Sequence, residues 1–463
     1  MIRQSFPEPT RGLLPPFFFP LGYNSHGREV PNVWIYVRDL KNHVGEHVEL
    51  RGWVRNVRSS GKIHFIDFRD GTGFIQVVVE KNNVDEESFA NCKKLKMESG
   101  VIIHGVVTED KRSPWGVEVL AEKVIPIQIP QEPYPINKPD HSIEYLMERR
   151  HLWLRSKRQF HIMMVRNEVL KAIRNFYWER GFVQIDTPIF TGAIGETAGN
   201  LFELDYFDYG KVYLAQTGQL YLEAACLAYG KVFNLGPTFR AEKSKTRRHL
   251  IEFWMNEAEV AYYEHEDNVR LQEELVSYIV KWVLEKASDH LIALGRDLKK
   301  LEKVEPPFPR ITYTEAVKLL QSNGFDVKWG DDFGGDEETF IASQFEKPVF
   351  VTHYPRKAKA FYMQPDPDNP EVVLCDDLLA PEGYGEIIGA SQRIHDYDLL
   401  VERLKEFNLP IEAYDWYLDL RKWGSVPHSG FGLGVERTIA WICGLEHIRE
   451  AIPFPRTLYR VYP

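Results

Sequence analysis

Between residues 238 and 254, TFRAEKSKTRRHLIEFW, the side chains of Arg240, Lys243, Lys245, Arg247, Arg248 and His249 crowd between two strand-like runs. Forked guanidiniums and point-charge ammoniums are the groups that hold a phosphate chain. Arg240 and Glu242 stand two apart and share one face of the first strand, while Phe253 on the second offers a ring for stacking. A purine wants such a flat partner and a hydrogen-bond acceptor for its amino group. The constellation fits a nucleoside triphosphate; a solvated charged loop is the usual alternative for a charge run, and the loop alone does not separate the two.

Two further stretches add to it. In SGFGLGVERTIAWICG, residues 429–444, Gly430, Gly432 and Gly434 alternate, so on a strand they share one face and leave a floor on which a planar base can rest, with Arg437 opening a helix just after. Close helix–strand packing is the plainer reading of such glycines. Val435 breaks a G-x-G-x-x-G dinucleotide pattern, and no G-x-x-x-x-G-K-[ST] loop exists in the chain. In DDLLAPEGYGEIIGASQRIHD, residues 376–396, Glu386 and Arg393 flank an expected turn at Gly389, with Asp377 ahead of it. Two carboxylates near phosphates suit Mg²⁺, and a structural Glu–Arg ion pair is the alternative.

These residues need a scaffold, and the chain has the material for one. Its 463 residues are 44% hydrophobic and 13% aromatic, enough for two or three domains with real cores. No apolar run reaches the roughly 18–20 residues of a membrane span, and prolines interrupt the N-terminus where a signal peptide is continuous, so a soluble cytoplasmic protein without membrane attachment is expected. Cys92, Cys226, Cys375 and Cys443 form no C-x-x-C pair and read as small core residues. A formal net charge of −10 argues against indiscriminate nucleic-acid binding but leaves room for a local basic surface.

Residues 1–33 read as a poorly ordered extension. Five strand-like runs follow at 47–57, 62–69, 73–80, 101–108 and 116–127, with a short helix in 85–95; that order predicts a five-stranded OB-type barrel over 34–127. Residues 128–140 carry Pro130, Pro133, Pro135 and Pro139 and read as a stiff linker. In the larger domain, 141–463, a helix over about 159–180 places Ile162, Val165, Val169, Ile173 and Phe176 on one stripe, and another over about 267–287 does so with Leu271, Leu275, Ile279 and Val283. Strands without βαβ alternation predict an α+β domain on a largely antiparallel sheet flanked by helices.

Together with GFVQIDTPIF before them, the three chemical stretches resemble, in order, the three signature motifs of class II aminoacyl-tRNA synthetases. The N-terminal barrel narrows the resemblance to the aspartate/asparagine/lysine subgroup, and FRAEKSKTRRHLIEF looks very like its asparagine branch. The resemblance runs from about residue 34 to the end and implies a class II catalytic domain behind an anticodon-binding barrel. It implies that Arg240 holds the α-phosphate of ATP, Glu242 the adenine edge, and His249 with the loop cations the outer phosphates. Phe253 then stacks on the adenine, Arg437 contacts the adenine and the γ-phosphate with Gly434 beside them, and Glu386 and Asp377 hold Mg²⁺. Arg240, Glu386 and Arg437 carry the catalysis, which proceeds by alignment and charge stabilisation with no covalent enzyme intermediate.

For the amino acid, the resemblance implies that Glu196 and Gln219 bind the α-ammonium and Arg393 reaches the side chain. Aspartyl enzymes place a lysine where this chain has Leu222, and without that cation a neutral carboxamide is favoured over a carboxylate, so L-asparagine is the expected substrate. Glu223 next to it is a candidate acceptor for the amide through water, although adjacent helical residues do not share a face. Phe65, Gln76 and Glu118 match anticodon-reading positions, by stacking and edge hydrogen bonds; a core role is the alternative for Phe65. Pro188 implies a homodimer, and the implied partner is tRNA(Asn). The competing expectations are a non-discriminating aspartyl enzyme, a stand-alone asparagine synthetase of the same fold, against which the barrel counts, and an inactive RNA-binding paralogue.

Overall fold

The structure, a computed structural model, describes residues 21–23, 29–31, 33–113, 116–137, 140–192, 195, 201–243 and 246–463. Its chain divides between His141 and Ser142 into two compact units. Most of the N-terminal extension lies outside the described residues; within it, Leu21–Tyr23 pairs antiparallel with Glu29–Pro31.

In the first unit, strands β1 (His47–Ser60), β2 (Ile63–Arg69) and β3 (Phe74–Glu80) precede helix α1 (Glu86–Cys92) and strands β4 (Gly100–Glu109) and β5 (Val117–Gln128). They pair in the order β1-β2-β3-β5-β4, and β4 returns to β1 to close the barrel. Alternation explains the closure: Val48, Leu50, Ile66, Phe68, Val77, Val79, Ile103 and Val119 point inward and are buried, while their neighbours face out. Asp85 caps α1 by accepting the Ser88 N–H. From 129 to 141 the described residues form no helix or strand, as a proline-rich segment should.

The second unit is built on an eight-stranded sheet, with a separate three-stranded sheet between residues 190 and 214. Its site-bearing elements are α2 (Lys157–Glu179), β6 (Val183–Gln184), α3 (Gln219–Tyr229), β7 (Lys231–Phe239), β8 (Glu252–Ala261), α4 (His265–Lys286), β9 (Arg310–Thr312), α5 (Gly335–Ser343), β10 (Val349–Thr352), β11 (Cys375–Ala380), β12 (Gly385–Arg393), α6 (Asp415–Lys422), β13 (His428–Gly434) and α7 (Val435–Cys443). The strand order is β9-β10-β11-β12-β13-β8-β7-β6, antiparallel except for the outermost pair at each edge. One face carries Phe233, Leu235, Ala258, Val260, Phe350, Leu378, Ile388, Phe431 and Leu433, which join the buried stripes of α2 and α4 in a single apolar cluster. Ser156 caps α2, and Glu264 with Asp267 forms a capping box on α4.

The alternate residues, Asn234, Glu257, Glu259, Gly389, Arg393 and Gly432, face the other way and make the polar side of the sheet. The expected turn at Gly389 is not there. Gly389 lies in mid-strand, paired with Asp377 and Gly432, and the chain reverses over residues 381–384 instead. The segment 182–190 is two short strands rather than one, because Pro188 interrupts it.

Candidate active site

On the polar side of the sheet, Arg240, Glu242, His249, Phe253, Gly432, Gly434, Glu386 and Arg437 line one cleft of about 580 Å³. Three sequence-distant segments converge there because β7 and β8 form a long hairpin and β13 pairs with β8, Met255 opposite Gly434. The Arg240 guanidinium stands 5.4 Å from the centre of the Phe253 ring. His249 Nε2 is 3.5 Å from the Glu242 carboxylate, and burial followed by the nearby Arg437 charge lowers the pKa of His249. Gly430 is not part of this floor: the position a Cβ would take is filled by the Glu259 carboxyl group.

Arg248 departs from the expectation that the loop cations all grip phosphate. Its guanidinium donates to Glu338 Oε2 at 3.2 Å and to the Gly383 carbonyl at 2.7 Å, and also bonds Thr339, so α5 and the 381–384 turn hold it. Gly385, at φ 72°, allows this approach, since a Cβ there would collide with the guanidinium. Lys245 lies outside the described residues.

Carboxylates gather at the far wall of the cleft. Asp377 Oδ1 and Glu386 Oε1 both approach the empty Cβ position of Gly389, at 3.7 and 3.4 Å. Their other oxygens are occupied: Lys359 donates to Asp377 Oδ2 at 2.6 Å, and Arg437 Nη1 to Glu386 Oε2 at 3.2 Å. Two carboxylates that both reach the Gly389 Cβ position are a donor set that fits a divalent cation shared with phosphates. Among the described residues no group of three or more His, Cys, Asp or Glu side chains could hold a metal unaided. Burial pushes Asp377 up to about 6 despite Lys359. Burial acts on Glu386 in the same sense, but Arg437, Lys359 and Arg240 outweigh it and keep that carboxyl below its ordinary range. Glu338, half-buried and beside Glu386, is pushed up to about 7 by its desolvation and by the Glu386 charge.

Deeper in the unit lies a buried cluster of polar side chains. Arg393 is buried; its Nε and Nη2 donate to Glu259 at 3.1 and 2.5 Å, and its Nη1 to Ser391 at 2.6 Å. Glu223 accepts from Gln219 Nε2 at 3.1 Å, Tyr417 at 2.7 Å and Arg421 at 2.6 Å, with His428 Nε2 at 3.0 Å. Glu257 accepts the Gly218 N–H at 2.9 Å and so fixes the start of α3 and with it Gln219. Leu222 does not join these polar groups. It is fully buried in an apolar cluster with Cys226 and Val232, while its neighbour Glu223 takes the polar side. Glu196 lies outside the described residues. Glu223, Glu257, Glu259, Glu338 and Lys359 organise the site from behind; the signal for Glu257 and Glu259 was their two-residue spacing on β8, opposite Gly432 and Gly430.

Pro188 is exposed, as are Ile189 and Phe190, which follow it. In the first unit Phe65, Gln76 and Glu118 share one outer face of the barrel. Phe65 is half-buried and outside the core cluster, with Arg58 6.0 Å from its ring centre. Gln76 donates to Glu118 at 3.0 Å and accepts from Arg58 at 3.3 Å. No helix among the described residues is long and apolar enough to cross a membrane.

Comparison with known proteins places these features in a context. Residues 142–458 match the family of tRNA synthetases class II (D, K and N), and residues 48–127 the OB-fold nucleic acid binding domain. An asparagine–tRNA ligase of Symbiobacterium thermophilum is 57% identical over 436 residues, covering 93% of this chain and 100% of the relative. Among solved structures, asparaginyl-tRNA synthetase from Pyrococcus horikoshii complexed with asparaginyl-adenylate superposes with a TM-score of 0.89 at 48% identity, over 93% of this chain and 99% of that one. The Entamoeba histolytica asparaginyl-tRNA synthetase gives 0.84 at 32% identity, over 93% and 100%.

Proposed function

This chain belongs to the class II tRNA synthetases of the D, K and N group, and from that premise we propose that it activates L-asparagine with ATP and transfers it to the 3′ end of tRNA(Asn). The observation that carries the reading is the cleft in which Arg240, Glu242, His249, Phe253, Glu386 and Arg437 surround one space.

Each residue has a task that its chemistry suits. Phe253 and Arg437 sandwich the adenine, and Glu242 accepts from its amino group. Arg240 holds the α-phosphate, and His249 the outer phosphates. The asparagine carboxylate oxygen attacks the α-phosphorus; the bond to the β-phosphate bridging oxygen breaks, and pyrophosphate leaves with that electron pair. Arg240 stabilises the charge that builds on the α-phosphoryl oxygens. Glu386 and Asp377 would hold Mg²⁺, which neutralises phosphate charge when bound. Gln219 and Glu196 bind the α-ammonium, and Arg393, held by Glu259, donates to the side-chain carbonyl. Phe65, Gln76 and Glu118 read the anticodon on the barrel. The same reading makes the protein a cytoplasmic homodimer that meets its partner subunit around Pro188.

The test is ATP–pyrophosphate exchange on the purified chain, with asparagine and aspartate in parallel. Exchange with asparagine alone is expected. Exchange with both, or with aspartate alone, overturns the substrate assignment, and silence with both amino acids in folded protein with Mg²⁺ overturns the activity.

A further inference from the structure

The segment 454–463, FPRTLYRVYP, takes no part in the adenylate-forming chemistry above, yet it borders the cleft. The Arg240 N–H donates to the Ile251 carbonyl at 2.9 Å, and the Ile251 N–H donates to the Arg456 carbonyl at 2.9 Å. Glu252, the first residue of β8, pairs with Arg456 in an antiparallel bridge. Arg456 thus stands one chain away from the residue assigned to the α-phosphate. Beneath this border Leu250, Ile448 and Ile452 form an apolar cluster, and Leu250 and Ile448 also line the cleft.

The segment is held in place. Thr457 and Arg460 exchange backbone hydrogen bonds at 3.2 and 2.9 Å, and the Arg456 guanidinium donates to the Pro463 carbonyl at 2.9 Å. Its rings are nonetheless left in water: Tyr459 and Tyr462 are 79% and 78% exposed, and Phe454 is exposed as well. Arg456 and Arg460 are interleaved with these rings and no acidic residue is, in a chain of net charge −10. Neither arginine forms an ion pair with a described residue; the guanidiniums donate only to backbone carbonyls. Rings and uncompensated cations in alternation suit an unpaired nucleic-acid strand, because a ring stacks on any base and the cations meet the phosphates. A face between protein subunits instead depletes charge at its centre.

We propose that this segment docks the unpaired 3′ end of the tRNA, whose bases stack on Tyr459 and Tyr462 and whose phosphates meet Arg456 and Arg460 on the way into the cleft. The inference rests on the reading of the chain as a tRNA ligase. It gives the catalytic unit an RNA surface of its own, separate from the barrel face assigned to the anticodon.

Charging kinetics test it on the full chain, beside ATP–pyrophosphate exchange. Replacing both rings, Tyr459→Ala with Tyr462→Ala, should raise the KM for tRNA by at least about tenfold, as the loss of one stacked base would, and the KM for ATP far less. Tyr459→Phe with Tyr462→Phe keeps the rings and should retain the wild-type KM for tRNA. Arg460→Ala should flatten the slope of log K for tRNA against log salt by about 0.7, one single-strand phosphate. A KM for tRNA that the alanine pair leaves unchanged, or that rises equally with that for ATP, overturns the docking. So does a phenylalanine pair as impaired as the alanine pair, or an alanine pair that sediments as a smaller species than wild type, which assigns the rings to a contact between copies of this chain. A wild-type chain that exchanges with asparagine but charges no tRNA would instead overturn the reading of function, and this inference with it.

Discussion

Enclosed by Gln219, Tyr417, Arg421 and His428, the Glu223 carboxylate answers two cation-forming side chains from a fully buried position. Burial alone would raise its pKa, but Arg421 and His428 outweigh burial and hold it well below the ordinary value of 4.5. A depressed carboxyl contributes stability that is complete above 4.5 and is lost as the pH falls below it. Glu223→Gln leaves Arg421 uncompensated and should cost about 3–5 kcal/mol at neutral pH. It should also remove this component of acid sensitivity, which urea denaturation of both proteins from neutral pH down through 4.5 would reveal. The pair Leu222 and Glu223 also marks the limit of reading by spacing. Helical geometry says that neighbours point apart, and they do, but only packing against Val232 decides which of the two turns to the apolar side. Arg240, Glu242, His249, Phe253, Glu386 and Arg437 line one cleft, as the charge and aromatic types of their segments suggested, whereas Gln219 and Arg393 were named from the family resemblance alone. Lys359 and Glu338 were not legible, because each acts through a partner far away in the chain.

Three of the elements are bound together by one buried ion pair. Arg166 on α2 donates to Glu436 Oε1 at 2.6 Å and to the Ala451 carbonyl at 2.9 Å, and Glu436 Oε2 accepts the Trp254 N–H at 2.8 Å. The helix that begins beside Arg437 and the strand that carries Phe253 are thereby set against the same carboxylate. Arg166→Met should lower the melting temperature and reduce kcat/KM for ATP by about a hundredfold, since a displacement of roughly 1 Å in a positioned group costs that much. Exchange kinetics beside a thermal melt check it; a lower melting temperature with unchanged kcat/KM would confine the pair to stability. Elements with a long apolar stripe, α2 and α4, were legible within two or three residues, because burial against one sheet face imposes their period. The misplaced turn has an equally physical origin. Gly383, Gly385 and Gly389 look alike in sequence, but the first two adopt positive φ while Gly389 stays extended and is small so that Asp377 and Glu386 can approach.

At the scale of the molecule, residues 1–141 and 142–463 each enclose an apolar cluster of their own. A chain starting at Ser142 should therefore fold and still exchange pyrophosphate with asparagine. It should charge tRNA poorly, because each base stacked on an aromatic ring is worth about 1–3 kcal/mol and the barrel face with Phe65 is gone. A fall in tRNA kcat/KM of at least about tenfold, measured beside the exchange rate, is the expected result. The barrel and the mixed α+β character of the larger unit could be read from the chain, since local patterns encode them. The eight-stranded sheet of the larger unit has a consequence for descent. Successive residues of β8, β12 and β13 answer to different judges, one to the volume of the apolar side and the next to the chemistry of the cleft. Along each strand, inherited change should thus come in alternation: neutral exchange among hydrophobic residues of similar size at one position, which cores tolerate, and near-immobility at the next.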